Sequence, residues 1–392
     1  MKKTRPKLRT ILGQPSWSFG SNRVKANLTE LGGHLAPVRF KLRSGEVQPF
    51  SVSPWAREEV DTVPLLEALR GDFFCCPFGG NATRWRNEQH PPHGESANRK
   101  WTLRSLNRLP DATVLIANLK TAVRPGSIEK VIALFDDETV IYQQHILHGM
   151  SGPMSVGHHP TLIFPDEPGS GLLSVSRFVR GQVYPGAFES PENRGYQSLK
   201  PGATFESISH VPQMNGGYAD LSRYPARRGF EDLVMLSADP KLPFAWSTVV
   251  FPKLGYLWFS LRDPRVLRST LFWISNGGRH YSPWNGRHVN VMGIEDTTSH
   301  FHDGLAESAR SNAVSRKGIP TTLRLNPSQP TTVSHIMGVT DIPRGFDHVA
   351  DIRKTRGGIE LRSRSGKTAR CALHLDWLYA PSLLTSDTPD DS

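Results

Sequence analysis

Between frequent glycines and prolines this sequence alternates apolar and polar residues over short runs, and that habit narrows the fold more than any other feature. In RVKANLTELGGHLAPVRFKL, Val24, Ala26 and Leu28 point one way and Lys25, Asn27 and Thr29 the other. Gly32 and Gly33 interrupt the run, and it resumes from Leu35 to Leu42. A period of two marks a half-buried strand, so the segment is predicted to be strand, tight turn and strand. ATVLIANLKTAV reads as a further strand, and EKVIALFDDETVIYQQHIL as a hairpin turning at Asp136 to Thr139. GGIELRSRSGKTARCALHLDWL is another hairpin, turning at Ser365–Gly366. LGYLWFSLRD and STLFWISNGG are rich in the aromatic and branched residues that suit a pleated surface. Helical patterns are few. SPWAREEVDTVPLLEAL holds a short helix or two, and the best helix candidate runs from about Asp303 to Ser315.

These patterns predict an all-β chain, a large antiparallel β-sandwich with a few short helices. The 34 glycines and 31 prolines are spread along the chain, as many short strands and turns require. No internal repeat or break in composition divides the sequence. Residues 1–21 read as a basic lead-in, 22–380 as a single domain, and 381–392 as a flexible acidic tail. With 37% hydrophobic residues there is material for a large core.

The balance of 47 basic against 36 acidic residues gives a net charge of +11. No helix-turn-helix, zinc-finger or aromatic RNA-binding pattern accompanies it, so nucleic acid is not the expected partner. The excess either attracts anionic small molecules or aids solubility. Three cysteines, Cys75, Cys76 and Cys371, are too few for a disulfide framework. The basic start lacks the long apolar run of a signal peptide, and no stretch reaches the length of a membrane span. The expected compartment is the cytoplasm, with no membrane partner; oligomeric state is not legible.

Histidine is the chief chemical resource. SVGHHPTLIFPDE places His158 and His159 before Pro160, which biases His159 toward extended backbone. The pair is either two hydrogen-bonded loop histidines or part of a cleft. Glu295 follows the apolar run Val291–Ile294, where a carboxylate is costly unless partnered or used; alternatively it is a charge at a helix start, with Asp296 to Thr298 as caps. His300 and His302 have a spacing that suits metal ligation from a strand, but no third ligand of equal clarity follows and there is no HExxH, so no metal is expected. RSRSGKTAR resembles a phosphate loop, yet Leu361 stands where the required glycine would be. No GxSxG nucleophile signature occurs.

Taken in order, the segments resemble the aldose 1-epimerase (galactose mutarotase-like) superfamily, over roughly residues 22 to 380. LTELGGHLAPVRF is similar to its opening strand pair, and FFCCPFGG to the stretch before its first active-site histidine. HGESANRKW is similar to the His-Gly…Trp motif, with His93 and Trp101 in step; PMSVGHHPTL matches the second histidine at His159; and VMGIED matches the strand bearing the family's glutamate, at Glu295. The departures are Thr161 and Leu162 in place of an aromatic pair, Asp296 in place of a proline, and Ala97 where some sugar-phosphate relatives carry arginine.

The resemblance implies a β-supersandwich and the interconversion of sugar anomers, an isomerase reaction in carbohydrate metabolism that needs no cofactor. Glu295 would be the base and His159 the acid, with His93 hydrogen-bonding the ring-oxygen side. Gly94 would let backbone approach the ligand, the polar run after it would meet hydroxyls, and Trp101 would pack beneath or fill core. His158, Arg84, Trp284 and Asn276 are the candidate substrate-binding residues. The expected partner is a small sugar or sugar derivative. It would be anionic if the arginines about His93 face it, and neutral if they are ordinary solvated charges. The alternative function is a non-catalytic carbohydrate-binding module of the same fold.

Overall fold

The computed structural model describes residues 7–380. The ends, including the proposed acidic tail 381–392, lie outside the described residues.

The described residues form an antiparallel β-sandwich with two short α-helices, Pro64–Glu67 and Leu305–Ala309. One large sheet has nine strands, and its centre is formed by Tyr256–Arg262, Thr331–Asp341 and Val140–His148. The other has eight, centred on Phe230–Ala238, Ser269–Asn276 and Val291–Thr298. The expected hairpins are present. Gly126–Phe135 pairs with Val140–His148, and Gly358–Ser363 pairs with Thr368–Ala372. Gly32 and Gly33, both at positive φ, turn Val24–Thr29 back onto Leu35–Lys41.

The two large sheets face each other across a core that includes Ile132, Trp258, Val339, Phe272 and Ile294. Their central strands are buried on both faces because each outer face is covered too. Ile352, Leu361 and Trp377, from the three-stranded C-terminal sheet and the turn after it, cover Leu257 and Ile336 of the nine-stranded sheet. Loops bearing Trp55, Phe73 and Trp284 cover Leu233, Leu271 and Trp273 of the eight-stranded sheet. A strand buried on both faces loses strict alternation, which is why LGYLWFSLRD and STLFWISNGG read as continuous apolar runs.

Two boundaries differ from the sequence reading. The basic lead-in contains the strands Arg9–Ile11 and Gln14–Gly20, and the second pairs with Val24–Thr29 while burying Trp17 and Phe19. The helix expected over Asp303 to Ser315 is one turn, Leu305–Ala309, with a 3-10 turn at Ser315–Lys317. The carboxamide oxygen of Asn312 accepts the backbone N–H groups of Val314 and Ser315, at 3.0 and 2.8 Å. Such local side-chain bonds compete with helix propagation.

Candidate active site

Alternation along Val291–Thr298 decides what faces outward. Ile294 and Asp296 point between the large sheets; Glu295 points to the covered outer face, in register with Leu271. Beside it Gly293 leaves a gap. A Cβ there would come within 2.5 Å of the Glu295 carboxylate oxygen Oε1 and 3.2 Å of the Trp273 Cβ. The sequence reading placed Glu295 at the end of a strand or at a helix start; it lies inside a strand that continues to Thr298.

His158 and His159 divide in the same way. His159 Nε2 lies 3.1 Å from Glu295 Oε1. Its ring stacks on Phe73 at 4.4 Å, and Phe73 in turn stacks on His34 at 4.2 Å. The Thr161 hydroxyl donates to the His159 carbonyl and is 3.2 Å from Nδ1, so it accepts the Nδ1 proton and leaves Nε2 to face Glu295 as an acceptor. His93 meets His159 edge-on, with ring centres 5.1 Å apart.

The His93 loop is held from below. His93 and Gly94 both have positive φ. Asn98 donates to the carbonyls of Pro92 and Gly94, and Asn81 to that of Pro91. Glu95 accepts the N–H groups of Ala122 and Val123. Much of the polar run after His93 is thus engaged with backbone instead of facing a ligand. Gly94 is required by backbone: a Cβ would come within 2.0 Å of the Cys76 carbonyl oxygen. Trp101 is core, its indole N–H donating to Ser96 and its ring facing the buried Lys130 ammonium.

His93, His159 and Glu295 line one cavity, which encloses about 500 Å³ of atom-free space including its open mouth. Trp284 lines it as well, and so do Arg279 and His302, which the sequence reading had not placed there. Arg279 follows the Gly277–Gly278 pair, and its guanidinium lies 4.7 Å from the Trp284 ring centre and 5.5 Å from that of Trp273. It is hydrogen-bonded to Glu189, and Glu231 lies 3.9 Å away.

The other candidates lie elsewhere. His158 is fully buried between the sheets, Nδ1 3.0 Å from Asp72. Asn276 is buried and bonded to the backbone of Ala226 and Asn290. Arg84 is exposed and does not line the cavity. His300 bonds Asp303 while His302 turns to the cavity; the strand has ended by then, and Phe301 has positive φ.

Burial sets the protonation. Desolvation pushes the Glu295 carboxyl well above its ordinary value, and the nearby Arg279 charge opposes it without cancelling it. Desolvation also lowers His159 to about 4 and His93 well below the usual histidine range. A 3.1 Å contact between an acid and an imidazole is close enough for an ion pair, but both shifts favour the uncharged forms. Burial thus favours a carboxyl that keeps its proton and donates it to an uncharged Nε2.

A second polar cluster lies behind the site, between the sheets. Asp72 accepts the His159 N–H at 2.9 Å and bonds His158 and Gln143; Asp296 bonds His335, Ser260, Thr270 and Arg262. Both carboxylates are held at about 2, because imidazole and, at Asp296, Arg262 outweigh burial's upward push. Among the described residues, Asp72, His158 and His335 are the group whose potential metal-ligand atoms lie within 4.8 Å of one another. The rings of His158 and His335 are stacked, 4.3 Å apart and 15° from parallel, so their in-plane lone pairs do not converge on one centre. Hydrogen bonding is the better account of this cluster.

The antiparallel supersandwich has a mutarotase-like architecture. The solved structures agree on the fold. A galactose mutarotase-like protein from Clostridium acetobutylicum superposes with a TM-score of 0.58 at 12% identity, covering 87% of this chain and 100% of that one. A galactose mutarotase related enzyme from Lactobacillus acidophilus gives 0.52 at 14% identity, over 83% and 97%. A candidate aldose 1-epimerase from Escherichia coli K12 gives 0.54 at 12%, over 84% and 100%. No protein-family model matches the chain, and no curated protein does. Among the described residues no helix is long and apolar enough to cross a membrane.

Proposed function

We propose that this protein interconverts the anomers of an aldose by acid–base chemistry at Glu295 and His159. The observation that carries the reading is the 3.1 Å contact between Nε2 and Oε1 inside the cavity. Anomer exchange requires the ring oxygen to gain a proton as the C1 hydroxyl loses one. The C1–O5 bond then breaks and leaves an aldehyde, which reorients and recloses by the reverse transfers. A carboxyl and a neutral imidazole sharing one proton supply both halves. The carboxyl donates to O5, Nε2 takes the C1 hydroxyl proton, and reclosure restores the pair. With the proton first on the imidazole the roles exchange, and Glu295 is then the base for ring opening. A positioned acid or base contributes roughly 10²–10⁴-fold.

In this reading His93, edge-on to His159, would hydrogen-bond the sugar near that pair, and the Trp284 indole would meet a ring face. The cytoplasm is the proposed compartment, since all three cysteines are free and buried thiols, which suits a reducing environment.

The test is the equilibration of freshly dissolved α-anomers, followed by optical rotation with and without protein, in the wild type and Glu295→Gln. The proposal requires faster equilibration with the wild type and loss of the acceleration in the variant. Sugar binding by calorimetry with unchanged equilibration would instead establish the non-catalytic binding module.

A further inference from the structure

We infer that the substrate is an uncharged deoxy-aldose, a sugar whose hydroxyls are fewer on the side away from C1; this rests on the anomer-exchange reading and names its substrate class. Two observations carry it, one about charge and one about the cavity wall.

Among the described residues Arg279 is the one lysine or arginine lining the cavity. Its guanidinium is taken by Glu189, which also accepts the Tyr281 hydroxyl, with Glu231 Oε2 3.9 Å away. Two acids against one guanidinium leave no surplus positive charge. The remaining ionisable lining is imidazole and the Glu295 carboxyl. A sugar phosphate or uronate would have to displace Glu189 to reach that guanidinium, and the Glu189 carboxylate opposes an anion. The arginines nearest His93 in sequence, Arg84 and Arg86, are exposed and outside the lining.

Three polar groups of the lining sit together, with Arg279 and His302 as the other polar members of the wall. Glu295, His159 and His93 lie within direct reach of one another, as the hemiacetal requires. Across the floor, Leu233 stands in register with Trp273, which stands in register with Gly293. Leu233 is therefore two strands from the Glu295 strand, about 10 Å at ordinary strand spacing. Leu65, Leu66 and Leu69 close the same cavity from the helix Pro64–Glu67 and its flank. Leucine carbon accepts and donates no hydrogen bond. A hydroxyl pressed against it gives up water and gains no partner, whereas a C–H edge or a methyl gains contact.

The experiment measures kcat/KM for anomer exchange by NMR line shape or magnetisation transfer. Matched sugars are used: galactose with 6-deoxygalactose, glucose with 6-deoxyglucose and 4-deoxyglucose, then glucose 6-phosphate and glucuronate. At least one deoxy sugar is expected to exceed its parent by about 10- to 100-fold, and both anions are expected to fall below glucose. Leu66→Gln adds a polar group to the wall at a half-buried position, and should bring that ratio toward one. Parents or anions exchanged faster than every deoxy sugar would overturn the inference and leave the anomer-exchange reading standing. An unchanged ratio in Leu66→Gln would overturn the role of the leucine wall. No acceleration for any sugar would overturn the reading itself, and this inference with it.

Discussion

Gly293→Ala adds one methyl group beside the proposed proton-sharing pair while leaving the inter-sheet core untouched. Gly293 does not have a positive φ, so alanine introduces no backbone strain. Its Cβ would stand 2.5 Å from Glu295 Oε1 and 3.2 Å from two atoms of Trp273, whereas ordinary contact begins at 3.4 Å. The Trp273 Cβ is held by its strand, so the carboxyl must give way, by 3.4 less 2.5, or 0.9 Å. Added to the present 3.1 Å, that retreat opens the Glu295–His159 separation to as much as 4.0 Å, beyond hydrogen-bond range. A misplacement of about 1 Å in a reacting group costs on the order of 10²-fold in rate. Overpacking of this kind costs about 1–3 kcal/mol of stability, here toward the lower end because a carboxyl terminus moves more easily than backbone. The assay pairs kcat/KM for anomer exchange with urea unfolding. The expected result is a rate loss near a hundredfold in a protein that still unfolds cooperatively. A folded Gly293→Ala protein with unchanged kcat/KM would refute the reasoning that the carboxyl must hold its present position.

Other outcomes follow from the same geometry. Asp72→Ala removes the carboxylate that holds His158 and the His159 N–H, and should lower the unfolding free energy by about 3–5 kcal/mol. Urea titration would show it, and a loss under about 1 kcal/mol would contradict the assignment of that ion as structural. Glu295 keeps its proton more firmly folded than unfolded, so its stabilising effect is complete below about pH 4.5 and is lost as pH rises through its folded value. Glu295→Gln should therefore gain stability relative to the wild type from pH 5 to pH 9 by thermal unfolding; a flat difference would show the carboxyl is not shifted upward. The buried histidines behave oppositely. His159 and His302 lie at about 4, and His34 and His288 at about 3, all chiefly through desolvation. The unfolded chain takes up those protons first, so stability is full above about pH 6.5 and falls as pH drops toward 4, by up to about 1.4 kcal/mol per unit for each group. Glu231 at about 7 and Asp232 at about 6 act the other way, as does Glu295, but the lowered histidines outnumber them. The urea midpoint should be lower at pH 5 than at pH 7.

The parts of this molecule that were legible in its sequence are those written locally. Gly32–Gly33, Asp136 to Thr139 and Ser365–Gly366 mark their turns because turn chemistry depends on a few adjacent residues. His93, His159 and Glu295 were found by resemblance, since nothing in their own neighbourhoods says that they meet. Between His158 and His159 the sequence offered no choice except the proline that follows. The fold chooses by strand alternation, sending one ring inward to Asp72 and the other outward to Glu295. Arg279 and the leucine wall went unread because they are defined by what surrounds them. A lone arginine after two glycines carries no sign of the tryptophans and glutamates that enclose it. Asn312 shows how a single side chain cuts short an otherwise plausible helix.

The most direct test of the central claim is magnetisation exchange between the α and β C1 resonances of a ¹³C-labelled aldose drawn from the matched series, recorded with the wild type, Glu295→Gln and His159→Gln under saturating sugar. The account predicts exchange well above the buffer rate for the wild type and a return to the buffer rate in both variants, with sugar still bound. Exchange that persists in either folded variant would show that the protons move by some route other than the Glu295–His159 pair.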